Sequence, residues 1–370
     1  MESLLMSMVN LRNKQKIERL FLSFKEEGLM SHAFGAWGFL DDRSNVQKVG
    51  YLPDDRMIFD LASLTKAIVI SPLIFREFRD HQIPLSSTID EWMGEQYPQR
   101  LDPRFKLLRV DQILGHQAGI PAWANFWSHQ WLPTGQKLIS REIPALNFYA
   151  LHIKVLNRLA QFQWKSNKFI QDLYSDIGFI LVGMLLAIKN KKSLRPLFQD
   201  FLNAECSGLP TPEYLDYTPT IRDRIRCIPT GYCPLRGRLL VGEVHDENCA
   251  VLGGETGHAG LFGTGEAVIS FLQTLHSSSL GKDFLRENFI RALSKDTSND
   301  PMIGWRRDDN LFFKKNLAIG HLGFTGCAFW VLPENGFFAV LLTNRVLMGR
   351  LNPRIKVFRS LFFDQVSTCI

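Results

Sequence analysis

The stretch Ile58-Phe59-Asp60-Leu61-Ala62-Ser63-Leu64-Thr65-Lys66-Ala67-Ile68 holds one helical turn, Ser63-Leu64-Thr65-Lys66, from which the rest of the chain can be read. A serine hydroxyl is a poor nucleophile until a neighbouring base takes its proton. On a helix, residues i and i+3 share a face, so the Lys66 amine can reach the Ser63 oxygen. Apolar residues lead into the pair, and Ala67-Ile68-Val69-Ile70 follows it. Such a buried helix start disfavours an ammonium ion, so the Lys66 pKa is expected to fall. Backbone N–H groups at a helix start also point at an oxyanion formed on a substrate acylating Ser63. By itself the turn equally fits an N-cap serine followed by a solvated lysine.

Two further segments have matching character. Tyr174-Ser175-Asp176-Ile177-Gly178 precedes the apolar run Phe179 to Leu186. Read alone, it is a helix N-cap with Ser175 or Asp176 as the cap and Tyr174 as packing. Gly320-His321-Leu322-Gly323-Phe324-Thr325-Gly326 carries three glycines in seven residues. Such a segment lets backbone pass close to another chain or a ligand. Read alone, it is also a glycine-relieved strand and turn with an incidental histidine.

In this order the three segments resemble the active site of the serine β-lactamase and penicillin-binding-protein superfamily, whose signature is Ser-x-x-Lys, then a Ser- or Tyr-led motif, then Lys-Thr-Gly. The Tyr-led middle motif resembles the branch of class C β-lactamases, D-alanyl-D-alanine peptidases and related esterases, and His-x-Gly is similar to a variant found there. Ile113-Leu114-Gly115-His116-Gln117-Ala118-Gly119-Ile120-Pro121 resembles that family's Leu-Leu-x-His-x-Ser-Gly-Leu-Pro. Gly253 to Thr264 resembles its glycine-rich segment before a late helix. The resemblance runs over roughly residues 15 to 365.

Composition sets outer bounds. The 370 residues, 45% hydrophobic and 22% charged, are those of a globular chain with a sizeable core. The net charge of +6 gathers at 189–192, Arg222 to Arg226, Arg306-Arg307 and Lys314-Lys315. These read as solvated faces, and no nucleic-acid motif accompanies them. The six cysteines (206, 227, 233, 249, 327, 369) lack metal-ligand spacing, so reduced structural thiols are expected, with a Cys227–Cys233 pair left open. Cys327 follows the glycine-rich motif directly and is expected near the site. No metal and no cofactor is expected. The start, Met1-Glu2-Ser3-Leu4-Leu5-Met6, lacks the features of a signal peptide, and the apolar run Ile177 to Ile188 is too short for a bilayer. A cytoplasmic location is therefore expected, or a periplasmic or extracellular one if the true start lies upstream.

Along the chain, residues 12 to 27 read as an amphipathic helix and 33 to 51 as two strands around Asp41 to Asn45. The Ser63 helix follows, with Pro72 expected to kink or end it. Residues 80 to 200 read as helical. Trp123, Trp127 and Trp131, four apart, read as a helix stripe or an aromatic cleft wall. Residues 203 to 256 read as a long functional loop over the cleft, whose Gly242 to Asn248 stretch fits loop hydrogen bonding better than metal. Three strand-like runs follow from Leu317, and a helix at Arg354 to Phe363 closes the chain.

These readings define one α/β (α+β) domain over residues 1–370. It has an antiparallel sheet flanked by terminal helices and a mostly helical inserted lobe. The α/β lobe covers about 12–80 and 265–370, the helical and loop lobe about 81–264. The expected function is a serine hydrolase acting through an acyl-enzyme on a small ester, amide or peptide. β-Lactamase or D-alanyl-D-alanine carboxypeptidase activity is the alternative, and a non-catalytic binding protein of the same fold a second one. The resemblance implies Ser63 as nucleophile, Lys66 and Tyr174 as the base system and Asp176 as hydrogen-bond partner of Lys66. It also implies the backbone N–H groups of Ser63 and Phe324 as oxyanion hole, with Gly323 and Thr325 at the substrate. His321 stands where a permanently charged lysine is usual, which implies weak binding of substrate carboxylates at neutral pH.

Overall fold

The computed structural model describes residues 2–54, 56–127, 148–162, 173–206, 214–294, 300–308, 312–313 and 316–370. Trp131 and Lys314-Lys315 lie outside the described residues. The sheet has six antiparallel strands in the spatial order Gln47–Tyr51, Ala33–Phe39, Phe337–Thr343, Ala328–Leu332, Ile319–Leu322, Arg306–Arg307. Residues from the two ends of the chain therefore pair directly, with Ala33 opposite Thr343 and Phe39 opposite Phe337.

Both faces of this sheet are covered, which explains why Phe337–Thr343 is apolar throughout instead of alternating. Phe337, Ala339 and Leu341 pack against the first and last helices, Glu2–Glu26 and Arg354–Ser367, where Phe21 meets Phe358 edge-on at 5.1 Å. Phe338, Val340 and Leu342 face the opposite way and share a core with the helix Gly265–Ser277. That second core extends to Asp176–Asn190, a helix whose residues 177–187 are all buried. Its N-cap is Ser175, whose hydroxyl accepts from Gly178 N. The cap reading of that segment therefore holds beside its position in the cleft.

Several expectations are corrected. Pro72 does not end the Ser63 helix. A π-helical turn, Lys66–Ile70, runs straight into the α-helix Ser71–Asp80, with Pro72 in its first turn. Proline has no N–H to satisfy there, and its ring is accommodated where the coil widens. Ser71 N and Oγ both donate to the Lys66 carbonyl. Residues 203–256 are not structureless: they include the strands Leu215–Tyr217, Pro229–Cys233 and Arg238–Val241 and the short helix Glu247–Val251. Strands this short leave little periodicity to read. Trp123 and Trp127 meet edge-on at 5.2 Å, but on irregular backbone. Cys227 and Cys233 are both free thiols. Among the described residues no helix is long and apolar enough to cross a membrane.

Candidate active site

The Ser63 segment is built on a strained backbone. Phe59–Asp60 pairs with the strand Leu261–Gly263, and the chain then turns sharply at Ala62, whose φ is +50°. That conformation costs a non-glycine residue roughly 1–2 kcal/mol. The Asp60 carboxylate supports it: Oδ1 accepts from Ala62 N at 2.9 Å, and Oδ2 from His245 N at 2.7 Å. Burial raises the Asp60 pKa to about 6, against the lowering effect of those two N–H groups. Ser63 follows, and Lys66 N donates to its carbonyl at 3.1 Å, which closes the turn.

Lys66 is fully buried. Its Nζ donates to Ser63 Oγ at 3.0 Å, to Asp176 Oδ1 at 2.7 Å and to the His258 carbonyl at 3.3 Å. An ammonium group has three protons, and here each has an acceptor. Burial acts to discharge Lys66, but Asp176 and Tyr174 outweigh it, and its pKa stands above the ordinary lysine value. The expectation of a lowered Lys66 pKa is thereby corrected. The Tyr174 ring lies 4.8 Å from Lys66 Nζ and 5.8 Å from the Arg306 guanidinium. Its other neighbours are the rings of His116, at 4.4 Å, and His321, at 6.1 Å.

Ser63, Tyr174, Asp176, Gly323 and Phe324 line one cavity of about 500 Å³. His321 and Thr325 do not reach it, because both are buried behind its wall. The Thr325 hydroxyl donates to the Asp60 carbonyl at 2.8 Å, so it bolts the glycine-rich turn to the Ser63 segment. Gly323 sits so close that a Cβ there would meet the Leu61 carbonyl oxygen at 2.8 Å. His321 Nδ1 lies 2.8 Å from the Leu322 carbonyl and donates to it, which leaves Nε2 as a lone-pair acceptor, buried and unpartnered among the described residues. Burial, then Lys66 and Arg306, push the His321 pKa well below its ordinary value. The ring is therefore neutral across the working pH range, and it cannot be a cation that switches on near pH 6.

Sequence reasoning assigned no role to three residues that the structure brings to the site. His258 supplies its carbonyl to Lys66, and its ring pairs with Asp246 at 2.8 Å on the cavity wall. His116 accepts from Ser175 N at 3.0 Å and so orients the Tyr174 segment. Burial lowers its pKa to about 3. His116 and His258 lay within the two smaller resemblance motifs and Asp246 in the flagged loop stretch, but only their contacts reveal these roles. The cavity also carries Arg306, Arg345, Arg350, Lys356 and Arg359. Among the described residues, only Arg350 of these has a carboxylate partner, Glu247. No group of His, Cys, Asp and Glu among the described residues is arranged to hold a metal ion.

A serine next to a strained turn, a buried lysine, a tyrosine and a glycine-rich strand end meet around one cleft, in an arrangement like that of serine hydrolases that work through an acyl-enzyme. The sequence profile described as Beta-lactamase matches residues 30–355, and the chain belongs to that family of serine hydrolases. It is 23% identical over 317 residues to a protein named N-acetylmuramyl-L-alanine amidase from Bacillus subtilis (strain 168), covering 78% of this chain and 68% of that one. It is 22% identical over 352 residues to a putative D-alanyl-D-alanine carboxypeptidase of Salmonella agona (strain SL483), covering 86% and 77%. Among solved structures, a β-lactamase/D-alanine carboxypeptidase from Yersinia pestis superposes with TM-score 0.64 at 16% identity over 100% of this chain and 99% of that one. EstCE1, a hydrolase with promiscuous acyltransferase activity, superposes with TM-score 0.63 at 14% identity over 96% and 99%.

Proposed function

We propose that the chain hydrolyses a small ester, amide or peptide through an acyl-enzyme on Ser63, with Tyr174 rather than Lys66 as the resting base. The observation that carries this reading is the saturation of Lys66, whose three protons already face Ser63, Asp176 and the His258 carbonyl. An amine in that state has no lone pair to offer Ser63. Tyr174, acting as its phenolate between the cations Lys66 and Arg306, takes the Ser63 proton as Oγ attacks the substrate carbonyl carbon. The oxyanion that forms is met by the backbone N–H groups of Ser63 and Phe324. Tyr174 then returns the proton to the leaving group. A water molecule repeats the cycle in reverse and frees the acid.

His321 does not discriminate substrates by charge in this reading, because its ring is buried and neutral. The basic side chains on the cavity wall favour a second reading of the substrate, one bearing a carboxylate, as a peptide or β-lactam does. One purified sample tested against p-nitrophenyl esters, nitrocefin and D-Ala-D-Ala peptides separates these substrate classes. A fluorophosphonate probe followed by intact mass tests the nucleophile, and the expected result is a single adduct on Ser63. Absence of both label and turnover would sink the reading in favour of a binding protein.

A further inference from the structure

The turn that carries Phe324 is held from behind by cations. Within it, Gly323 N donates to the Cys327 carbonyl at 2.7 Å and Gly326 N to the Gly323 carbonyl at 3.1 Å. Arg359, on the last helix, donates through Nη2 to the Gly323 carbonyl at 2.5 Å and the Cys327 carbonyl at 3.1 Å, and through Nε to the Gly326 carbonyl at 3.2 Å. Arg345, just after the Phe337–Thr343 strand, donates through Nε and Nη2 to the Phe324 carbonyl at 3.0 and 2.6 Å. Thr343 Oγ1 takes the remaining carbonyl, that of Thr325, at 2.9 Å. Every carbonyl from Gly323 to Cys327 thus has a donor.

A trans peptide unit holds its N–H antiparallel to its C=O, and no cis peptide bond occurs among the described residues. With the Gly323 carbonyl tied to Arg359, the Phe324 N–H must point away from Arg359 Nη2. Gly323 and Phe324 line the same cavity as Ser63. The turn's distance from Ser63 is set separately, by the Thr325 hydroxyl on the Asp60 carbonyl and by the contact of Gly323 with Leu61. Neither Arg345 nor Arg359 has a carboxylate partner among the described residues, so both charges stay unneutralised beside the cleft. Burial lowers the Arg359 pKa to about 10, which keeps it charged at neutral pH.

We propose that Arg359 and Arg345 are positioning residues that aim the Phe324 N–H at the oxyanion and bias the hole toward negative charge. This rests on the Ser63 and Phe324 roles proposed above. The structure supplies a sensitive readout. Sulfur is a poor hydrogen-bond acceptor, so an oriented donor favours an ester over its thionoester with the same acyl and leaving groups.

The test compares kcat and KM for such a pair in the wild type, Arg359→Ala, Arg359→Lys and Arg345→Gln, with Ser63→Ala as control. In Arg359→Ala the ester kcat is expected to fall about a hundredfold, the loss seen when one oxyanion donor is removed. KM should change little, the ester-to-thionoester ratio should collapse, and added guanidinium ion should restore both. Arg359→Lys keeps a cation without the planar fork and should give an intermediate ratio; it carries the comparison if the alanine variant fails to fold. An unchanged ratio in folded Arg359 and Arg345 variants overturns the inference, while a dead Ser63→Ala control leaves the catalytic reading standing. A Ser63→Ala protein that still turns over sinks that reading, and this inference with it.

Discussion

Lys66 Nζ lies 2.7 Å from Asp176 Oδ1, although the two are 110 positions apart in the chain, and Lys66 is entirely buried while the Asp176 side chain keeps 19% of its exposure. Burial works to discharge the lysine, and the aspartate outweighs it; in the proposed reading this leaves the base role to Tyr174.

Replacing Asp176 by Asn should lower the Lys66 pKa. A raised lysine pKa contributes stability below the ordinary lysine range that is lost as pH rises through the folded value. The wild type should therefore hold an advantage over the variant at neutral pH that narrows as pH rises above the ordinary lysine value of 10.5. Breaking a buried pair costs about 3–5 kcal/mol, an upper bound here because Asn still accepts a hydrogen bond and Asp176 is partly exposed. Urea unfolding from about pH 8 to 12 checks this. Equal stability of the two proteins throughout would show that the pair is not holding the charge.

Ser63→Ala should abolish turnover and covalent labelling without unfolding the protein. Loss of a nucleophile costs several orders of magnitude, roughly 10⁶ in a well-studied hydrolase. Intact mass detects any adduct, and an acyl-enzyme formed by this variant would refute the assignment.

Lys66→Ala and Tyr174→Phe should each cripple acylation, and the double variant should be little worse than either. Groups that act as one proton-transfer unit are strongly non-additive. Single-turnover kcat/KM for the four proteins decides it; full additivity would mean that the two side chains act separately.

For a neutral and an anionic substrate of equal acyl size, the kcat/KM ratio should show no His321 titration between pH 6 and 8.5. The imidazole is buried and its pKa lies well below the ordinary histidine value. His321→Lys would place an ammonium in a buried position near Lys66 and Arg306, and should reduce the thermal midpoint rather than retune selectivity. A ratio that titrates near pH 6.5 in wild type and vanishes in His321→Gln would contradict this.

Asp60 should make stability fall as pH rises from about 4 to about 6. Its folded pKa, about 6, exceeds the ordinary aspartate value, so the native state binds the proton more tightly through that window and loses the advantage above it. Two pKa units correspond to roughly 3 kcal/mol. The measurement is the difference in unfolding free energy between wild type and Asp60→Asn across pH 4 to 7, and a constant difference would contradict the assignment.

The pairing of Ser63 with Lys66 was legible because it is local: three residues on one helical turn leave the side chains little choice of neighbour. The terminal strands were legible for a similar reason, since short turns such as Pro333-Glu334-Asn335-Gly336 join apolar runs of matching length. The hairpin of Pro229–Cys233 with Arg238–Val241 escaped because four or five residues of mixed character carry too little pattern.

By itself, then, the sequence determined the order of the motifs and the sheet built from both chain ends, set by local spacing and hydrophobic pattern, and it pointed to the hydrolase class through the family resemblance those motifs carry. The tertiary structure alone decided the burial of His321 and Thr325, the contributions of His258 and His116, and the arginines behind Phe324. These depend on which distant group desolvates, neutralises or hydrogen-bonds a side chain, as Asp176 does for Lys66, and only the folded chain brings those groups within a few ångströms of one another.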